Sequence, residues 1–331
     1  MIPWRDPIDG APLRPDGPDL VSPSGRRWPA LAGGWDLRPD RRDVNAAQQA
    51  EIYDEKLGEL TDFDHPHNLT LVHQRGLLDA LELQPGDPAL EIGGHRSGVL
   101  PYLERHHRIE GRGLDVSPVW VKAQNALAAA RGSTTRWVVG VAEALPFADD
   151  SFAALVAFDV FEHVTDLNLA LREAARVLRP GGRLVCHLPV ADLRGSFDGY
   201  QRWRDPADFA ARQASVGHYH ERLPTRMQMR TRLEASGFDV LDSTSFNVWV
   251  QPLHDHRLMP WLGKLRHRND ARDAAGTPTT RELPRAEASR FQKLYAKVAI
   301  PVAAAVAQVD TIGAHLGIGG SCSFVARKAA R

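Results

Sequence analysis

Between residues 88 and 189, short apolar runs alternate with longer segments in which apolar residues recur every three or four positions. The short runs predict buried strands, and the periodic segments predict helices. We predict strands over 89–92, 113–116, 137–140, 152–158 and 183–188, and helices over 99–107, 119–130 and 167–178. This alternation is typical of an α/β fold with a doubly wound, mostly parallel sheet.

The remaining sequence divides the chain further. Residues 1–42, rich in Pro, Gly, Asp and Arg, predict turns and short strands, and Asn68 is a candidate N-cap within a helical extension. The segment 190–224 shows no clear period. The predicted parts are an N-terminal segment (1–42), a helical extension (43–87), a core (88–249), a helical insertion (250–316) and the terminal strand of the core (317–331).

Charge and cysteine content narrow the function classes. Lys plus Arg and Asp plus Glu both number 41, so the whole chain has no general attraction to nucleic acid. Two cysteines are too few for a disulfide framework, which is typical of a cytoplasmic protein. The first residues lack the apolar region of a secretion signal.

The most apolar stretch, 298–309, is interrupted by Pro301. It is shorter than the about 20 residues that a membrane span needs, so we expect no span. The stretch predicts a buried amphipathic helix, with a helix at a membrane surface as the alternative.

The ends of the predicted strands carry the candidate binding site, because ligands of open parallel sheets bind beyond the carboxyl ends of the strands. Glu91 precedes Gly93 and Gly94, whose lack of side chains permits a close approach to a ligand. Asp115 follows about 20 residues later, the spacing of a carboxylate that accepts hydrogen bonds from ribose hydroxyls. The sequence has no G-x-x-x-x-G-K-[ST] phosphate loop. The pattern favours nucleoside recognition.

Five motifs together resemble class I S-adenosyl-L-methionine-dependent methyltransferases, of the group that includes ubiquinone/menaquinone-type enzymes. These are Leu90-Glu91-Ile92-Gly93, Leu114-Asp115-Val116-Ser117, the segment 142–152, the segment 161–166 and the segment 176–184. The resemblance implies a Rossmann-like, seven-stranded sheet with an antiparallel last strand, here 323–327. It also implies a methyltransferase whose cofactor is S-adenosyl-L-methionine.

The resemblance also implies the cofactor-binding residues. The methionine end is assigned to Glu91, Gly93, Gly94 and the backbone near His95, and the ribose to Asp115. The other implied residues are Val116, Ala142 and Glu143 beside the adenine, and Phe158 and Asp159 near the sulfonium.

Three residues depart from the family pattern. His95 and Ser97 replace glycines in the first turn, and Val141 replaces an acid that binds the adenine amine. The His95 side chain either crowds the methionine or contacts its carboxylate.

The N-terminal segment resembles the small zinc ribbon that precedes the methyltransferase domain in ribosomal RNA guanine methyltransferases. The ligand positions are Asp6, Asp9, Ser22 and Arg26, none of which is a good structural zinc ligand. We predict a ribbon that has lost its metal and packs on the core. The alternative is an unrelated Pro-rich arm.

Histidines supply the candidate proton acceptors, because imidazole titrates near neutral pH. His163 and His218 are the catalytic candidates. The pairs His218/His220 and His254/His256 could share a metal, but no spacing forces them together, so we predict no metal site. The candidates for acceptor binding, beneath a lid formed by 190–224 and 250–316, are His187, Tyr200, Trp203, Tyr219, His220 and His254.

These observations predict a cytoplasmic methyltransferase that acts on a small or medium-sized acceptor. O-methylation in specialised metabolism or in glycan or envelope biosynthesis is the first hypothesis, because histidines suit deprotonation of a hydroxyl group. One alternative is a ribosomal RNA guanine methyltransferase. Another is a protein of this fold that has lost methyl transfer and either does other chemistry or binds a partner. We expect no nucleic-acid partner, and a homodimer remains one alternative.

Overall fold

The computed structural model describes residues 2–40, 44–54, 61–66, 68–94, 97–214, 222–254, 258 and 290–330. The N-terminal segment forms five short strands: β1 (Arg14–Asp16), β2 (Asp19–Val21), β3 (Arg27–Trp28), β4 (Ala30–Leu31) and β5 (Gly34–Trp35). The central sheet comprises β6 (Pro88–Ile92), β7 (Glu110–Asp115), β8 (Arg136–Val139), β9 (Phe152–Phe158), β10 (Leu178–Pro189), β11 (Phe238–Phe246) and β12 (Ser321–Lys328).

Helices cover both sides of the central sheet. Before and between its first five strands lie α1 (Val44–Asp54), α2 (Leu69–Asp79), α3 (Val99–His107), α4 (Pro118–Ala130) and α5 (Leu167–Val177). After β10 come α6 (Phe197–Arg204), α7 (Pro206–Ala214), α8 (Arg226–Ala235), α9 (Val250–Leu253), α10 (Arg290–Val306) and α11 (Gln308–His315).

The central sheet has the order β11-β12-β10-β9-β6-β7-β8. Strands β6 to β10 run parallel to one another, and β12 is antiparallel to both β10 and β11. The predicted seven-stranded, mostly parallel fold is therefore confirmed. All residues of β9 except the last are buried, because parallel strands are covered on both faces.

Alternate residues of a central strand belong to two separate apolar clusters. In β9, Leu155 and Ala157 belong to one cluster, and Ala154 and Val156 belong to the other. Successive side chains of a strand point to opposite faces, so the clusters are the two helix-covered layers of the core.

Polar side chains define where several helices begin. Asn68 accepts a hydrogen bond from the backbone N–H of Leu71, which confirms the predicted N-cap. Ser117 caps α4 in the same way, and Thr225 forms a capping box with Gln228 at the start of α8.

Three elements differ from the sequence expectations. Strand β10 starts at Leu178 rather than at 183, with a shift in register before Arg183. Helices α6 and α7 occupy a segment for which no element was predicted, since few of their side chains are buried.

The expected burial of the apolar stretch 298–309 is wrong. The segment Lys297–His315 has the length and apolar composition of a membrane-crossing helix, and only 6% of that window is buried. Val302 and Val309 are both exposed, whereas Ile300 is buried against the rest of the protein. Hydrophobicity alone does not determine burial, because burial needs a partner surface.

The four predicted ligand positions of the N-terminal segment lie together, with a guanidinium group among them. Arg26 Nη1 lies 2.8 Å from Asp6 Oδ2 and 3.0 Å from Asp9 Oδ2. The backbone N–H of Arg26 donates to Ser22 Oγ at 3.2 Å. Among the residues that the structure describes, no group of His, Cys, Asp and Glu is suited to a metal ion. The ribbon resemblance itself stays a prediction.

Replacing Asp6 with Ala should destabilise this segment by about 2 kcal/mol. The buried carboxylate also accepts from Trp28 Nε1 at 3.2 Å and from the backbone N–H of Ile8 at 2.9 Å, so these two donors lose their acceptor and Arg26 keeps only Asp9. Urea denaturation and hydrogen exchange over residues 2–40 measure the loss.

The control is Asp9→Ala, which removes a half-exposed carboxylate from the same arginine and should have a much smaller effect. A chelator should leave the melting temperature of the wild type unchanged. A chelator-induced fall in that temperature would contradict the arginine-centred arrangement.

Candidate active site

The carboxyl ends of the central strands border a cavity of about 870 Å³. Gly93 after β6, Asp115 at the end of β7, Phe158 at the end of β9 and His187 near the end of β10 all line it. Helices α6 and α7 cover one side. The site is therefore where the parallel sheet predicts it.

Asp115 is held rigidly at the cavity wall. Its Oδ2 accepts from the backbone N–H of Gly94 at 2.7 Å, and its Oδ1 accepts from the backbone N–H of Ser117 at 2.8 Å. Gly93 has φ +78°, and a Cβ atom there would lie 2.4 Å from Cγ2 of Val160. A residue with a side chain at 93 would be strained and would clash, so glycine is required.

Burial changes the protonation of two carboxyl groups near this turn. It raises the pKa of Asp115 to about 6, although the two backbone N–H groups act in the opposite direction. Burial raises the pKa of Glu91 to about 8. Glu91 does not border the cavity; its carboxyl group accepts from the backbone N–H of Leu100 in the first turn of α3. At neutral pH, Glu91 is therefore mostly protonated and Asp115 mostly ionised.

The predicted adenine-side residues Val116, Ala142 and Glu143 all line the cavity. Glu143 is partly committed to structure, because its carboxylate accepts from the backbone N–H groups of Thr165 and Asp166 at 2.7 and 3.3 Å.

Gln49 on α1 also lines the cavity, and no sequence signal marked it. Its Oε1 atom is buried and has no hydrogen-bond partner within the described parts of the chain.

These side chains fit the nucleoside of S-adenosyl-L-methionine. The Asp115 carboxylate and the unpartnered Gln49 oxygen are acceptors for hydroxyl or ammonium donors. Leu114, Val116 and Ala142 add an apolar wall for an adenine. The glycine turn allows close approach of backbone to the ligand.

A buried histidine and an aspartate meet on the opposite wall. Asp159 follows β9, and His187 lies on the adjacent strand β10, where its neighbour is Phe158. His187 Nδ1 lies 2.8 Å from Asp159 Oδ1, and its Nε2 lies 2.9 Å from Ser321 Oγ. Asp159 has φ +56°, a left-handed conformation that aspartate tolerates better than most residues.

The two members of this pair differ in exposure and charge. The Asp159 side chain is 48% exposed, whereas that of His187 is 5% exposed. Burial disfavours the charged form of His187, but the Asp159 carboxylate outweighs this effect, so the pKa of His187 lies above its usual value. Asp159 is the member that a ligand reaches.

His73 on α2 is a second buried histidine beside this pair. Its Nε2 lies 2.7 Å from Ser323 Oγ, and its ring stacks on Phe246 with centroids 4.2 Å apart. Burial, followed by the charge of His187 at a ring distance of 6.3 Å, lowers the pKa of His73 to about 3. His73 is therefore neutral at physiological pH. The sequence gives no sign of this contact.

Other predicted site residues have varied positions. His163 lines the cavity, with Nε2 3.9 Å from Glu162 Oε1, and its side chain is largely buried. His254 is buried but does not border the cavity. Four of the predicted residues lie outside the described residues: His95, His218, Tyr219 and His220.

Helix α6 presents different residues to the cavity from those predicted. Phe197 and Gln201 line the cavity, whereas Tyr200 and Trp203 are exposed and do not. At about 100° per residue, Trp203 lies about 120° or more around the helix from Phe197 and Gln201, on a different face. Gln201 Oε1 and Asn247 Oδ1 are buried at the cavity and lack hydrogen-bond partners within the described residues.

The sequence matches a known family over its central part. Residues 90–186 match the family model described as "Methyltransferase domain". A relative is the ubiquinone/menaquinone biosynthesis C-methyltransferase UbiE of Caulobacter vibrioides, 35% identical over 128 residues. That match covers 36% of this chain and 51% of the relative. The chain therefore spans about half the length of this curated relative.

Solved structures share the fold. Phosphoethanolamine N-methyltransferase 2 of Haemonchus contortus, in complex with S-adenosyl-L-methionine, has a TM-score of 0.54 at 14% identity, covering 78% of this chain and 53% of that one. The [4+2]-cyclase SpnF has a TM-score of 0.50 at 20% identity, covering 87% of this chain and 94% of its own.

The family match covers the glycine turn from Leu90, Asp115, Asp159 and strand β10 up to residue 186, one residue before His187. S-adenosyl-L-methionine is the cofactor of this class, in agreement with the fit of the cavity. The resemblance of residues 1–42 to a zinc ribbon lies outside the match. Residues 90–186 thus form a domain that matches those of class I S-adenosyl-L-methionine-dependent methyltransferases.

Proposed function

We propose that the protein methylates a hydroxyl group of a small or medium-sized acceptor. The observation that carries this proposal is the Asp159–His187 pair on the cavity wall across from Asp115. When bound, S-adenosyl-L-methionine supplies an electrophilic methyl group on a positively charged sulfur. Asp115 and Gln49 would hold its polar groups, and Val116 and Ala142 would contact its adenine.

The Asp159 carboxylate receives the acceptor's hydroxyl proton. It is the exposed member of the pair, and His187 fixes its orientation through the 2.8 Å contact. The buried His187 is in turn fixed by Ser321. Loss of the proton makes the acceptor oxygen a stronger nucleophile. His163, which the sequence analysis selected as a catalytic candidate, has a less accessible side chain than Asp159. The proposal therefore assigns the proton transfer to Asp159.

The lid side of the cavity favours an acceptor with further hydrogen-bond donors. Gln201 Oε1 and Asn247 Oδ1 both lack partners in the described part of the protein, and a donor group on the ligand would satisfy them. Hydroxyl and amino groups are such donors. This supports a polar acceptor, as in glycan or specialised metabolism.

A carbon acceptor is the second candidate, because the relative from Caulobacter vibrioides is named a C-methyltransferase. The same carboxylate would then remove a proton that activates a carbon rather than an oxygen. The fold alone does not distinguish methyl transfer from other reactions, since one solved structure with this fold is named a cyclase.

Two measurements test the proposal. Calorimetry with S-adenosylhomocysteine tests cofactor binding, and an absence of heat at millimolar ligand would refute it. Incubation of the protein with extracted metabolites and cofactor carrying a ¹³C methyl group tests transfer by mass gain. The carbon chemical shift of the product then separates O-methylation from C-methylation.

A further inference from the structure

Helices α10 and α11 carry an uncovered apolar face. Its six aliphatic side chains, the last of which belongs to the residue that caps α11, are 55–74% exposed: Val298, Val302, Val306, Val309, Ile312 and Leu316. At about 100° per residue, these positions fall within about 120° of the helix circumference. Such a continuous apolar face is unusual for a surface in contact with water only. We propose that this face docks on the surface of an anionic lipid bilayer.

The helices that carry this face are attached to the rest of the protein. Ile300, on the opposite side of α10, is buried. The Asp310 carboxylate of α11 accepts from the backbone N–H groups of Val250 and Gln251 in α9, at 3.1 and 3.0 Å. Because Asp310 is anchored there and Pro301 interrupts α10, the helices suit a position in the plane of the membrane surface rather than across it.

An exposed aromatic group adjoins the apolar face. Tyr200 lies 6.1 Å from Trp203 and 5.8 Å from Trp249, measured between ring centroids, and Trp203 is 79% exposed. The backbone N–H of Trp249 donates to Asp310 of α11, which brings this group beside the apolar helices. Tryptophan and tyrosine favour the interface between lipid and water.

The charge distribution identifies the lipid as anionic. Lys297 is exposed at the start of the apolar face, and Arg290 and Lys293 precede it on α10. By sequence, residues 290–297 at the start of α10 contain three Lys and Arg and no Asp or Glu, whereas residues 298–309 contain no charged residue. Anionic headgroups would neutralise these cations, while a second copy of the chain would bring a second set of cations close.

Docking would set the cavity next to the bilayer. The inner face of α6 lines the cavity with Phe197 and Gln201, and its outer face carries Tyr200 and Trp203. The lid helix is therefore shared by the cavity and the docking surface. The docking itself does not depend on the proposed methyl transfer.

Vesicle flotation of the full chain tests the proposal. We expect the wild type to float with vesicles of phosphatidylcholine mixed with phosphatidylglycerol, and far less with phosphatidylcholine alone. The double variant Val302→Glu/Val309→Glu should lose about tenfold or more of the bound fraction. Tryptophan emission should shift to the blue on binding, and this shift should shrink in Trp203→Ala.

The matched control is Ile8→Glu, which charges an exposed isoleucine of the N-terminal segment and should float like the wild type. That segment packs on β8, at the opposite edge of the central sheet from β11. Calorimetry with S-adenosylhomocysteine on each variant shows separately whether the cavity is intact. Failure of the wild type to float with anionic vesicles would overturn the proposal. So would a dimer in sedimentation without lipid that the double variant abolishes, since a second copy would then cover the face.

Discussion

Replacing Asp159 with Asn should lower kcat by about 10²–10⁴-fold, the usual contribution of a general base. Asparagine tolerates the left-handed conformation of residue 159, where φ is +56°, so the backbone should keep its shape. The amide can still accept a hydrogen bond from His187, but it cannot take a proton. Steady-state kinetics with an identified acceptor, together with the Kd for S-adenosylhomocysteine, separates lost chemistry from lost binding.

The pH profile of kcat provides a second readout of this prediction. The Asp159–His187 pair titrates as a unit, and protonation of His187 makes the neighbouring Asp159 carboxylate a weaker base. Because the pKa of His187 is raised above its usual value of about 6.5, wild-type activity should rise with pH through a pKa above 6.5. In Asp159→Asn, the remaining activity should lose this rise, because the partner that raises the pKa is absent.

His163→Gln is the matched control, since His163 lines the same cavity and is the alternative proton acceptor. We expect its loss of kcat to be much smaller than that of Asp159→Asn, with the pH profile retained. If His163→Gln lost the larger share of activity and removed the pH dependence, the sequence-based choice of His163 would be correct and the role given to Asp159 would be wrong.

The parallel core was predictable because its strands are buried on both faces and therefore appear as continuous apolar runs, as in Phe152–Phe158. Helices α6 and α7 were not, since only Phe197, Gln201 and Phe209 among their side chains are buried, which leaves little periodic signal. The exposed α10 and α11 have the apolar pattern of a core helix, and nothing in that pattern shows whether a partner covers them.

The position of Asp115 in the candidate site was predictable, because it depends only on where strand β7 ends. The pairing of Asp159 with His187 depends on the register between β9 and β10, which aligns His187 with Phe158. The contact of His73 with Ser323 joins residues 250 positions apart. Register and long-range contacts of this kind arise from packing of the whole domain, so no local pattern contains them.

Replacing Asp115 with Asn should raise the Kd for S-adenosylhomocysteine by about 100-fold, because hydrogen bonds to a charged group contribute about 1.5–3 kcal/mol. The substitution also turns an amide N–H₂ group toward the backbone N–H of either Gly94 or Ser117, both of which now donate to the carboxylate. If the amide group faces Gly94, the glycine turn loses its hydrogen bond to residue 115. Isothermal calorimetry at pH 7, with a melting curve to confirm folding, measures the change.

The wild-type affinity should also depend on pH in a defined direction. The pKa of Asp115 is about 6, so lowering the pH below 6 protonates the carboxylate and removes the charged acceptor. The Kd should therefore rise by up to about tenfold per pH unit below that value. Asp115→Asn should bind weakly at every pH, without this change. A variant that binds as tightly as the wild type, or that keeps the same pH dependence, would show that Asp115 does not hold the ligand.

Glu91→Gln is the control, because it replaces the other buried carboxyl group near the glycine turn. Burial raises the pKa of Glu91 to about 8, so the wild-type side chain is already mostly neutral at pH 7. Glutamine has the same shape and can still accept from the backbone N–H of Leu100. We therefore expect Glu91→Gln to change the Kd at pH 7 by less than about threefold, or about 0.7 kcal/mol. A large loss would mean that ionised Glu91 contacts the methionine end, as the family resemblance implies, and that the ligand itself lowers the pKa of Glu91 on binding.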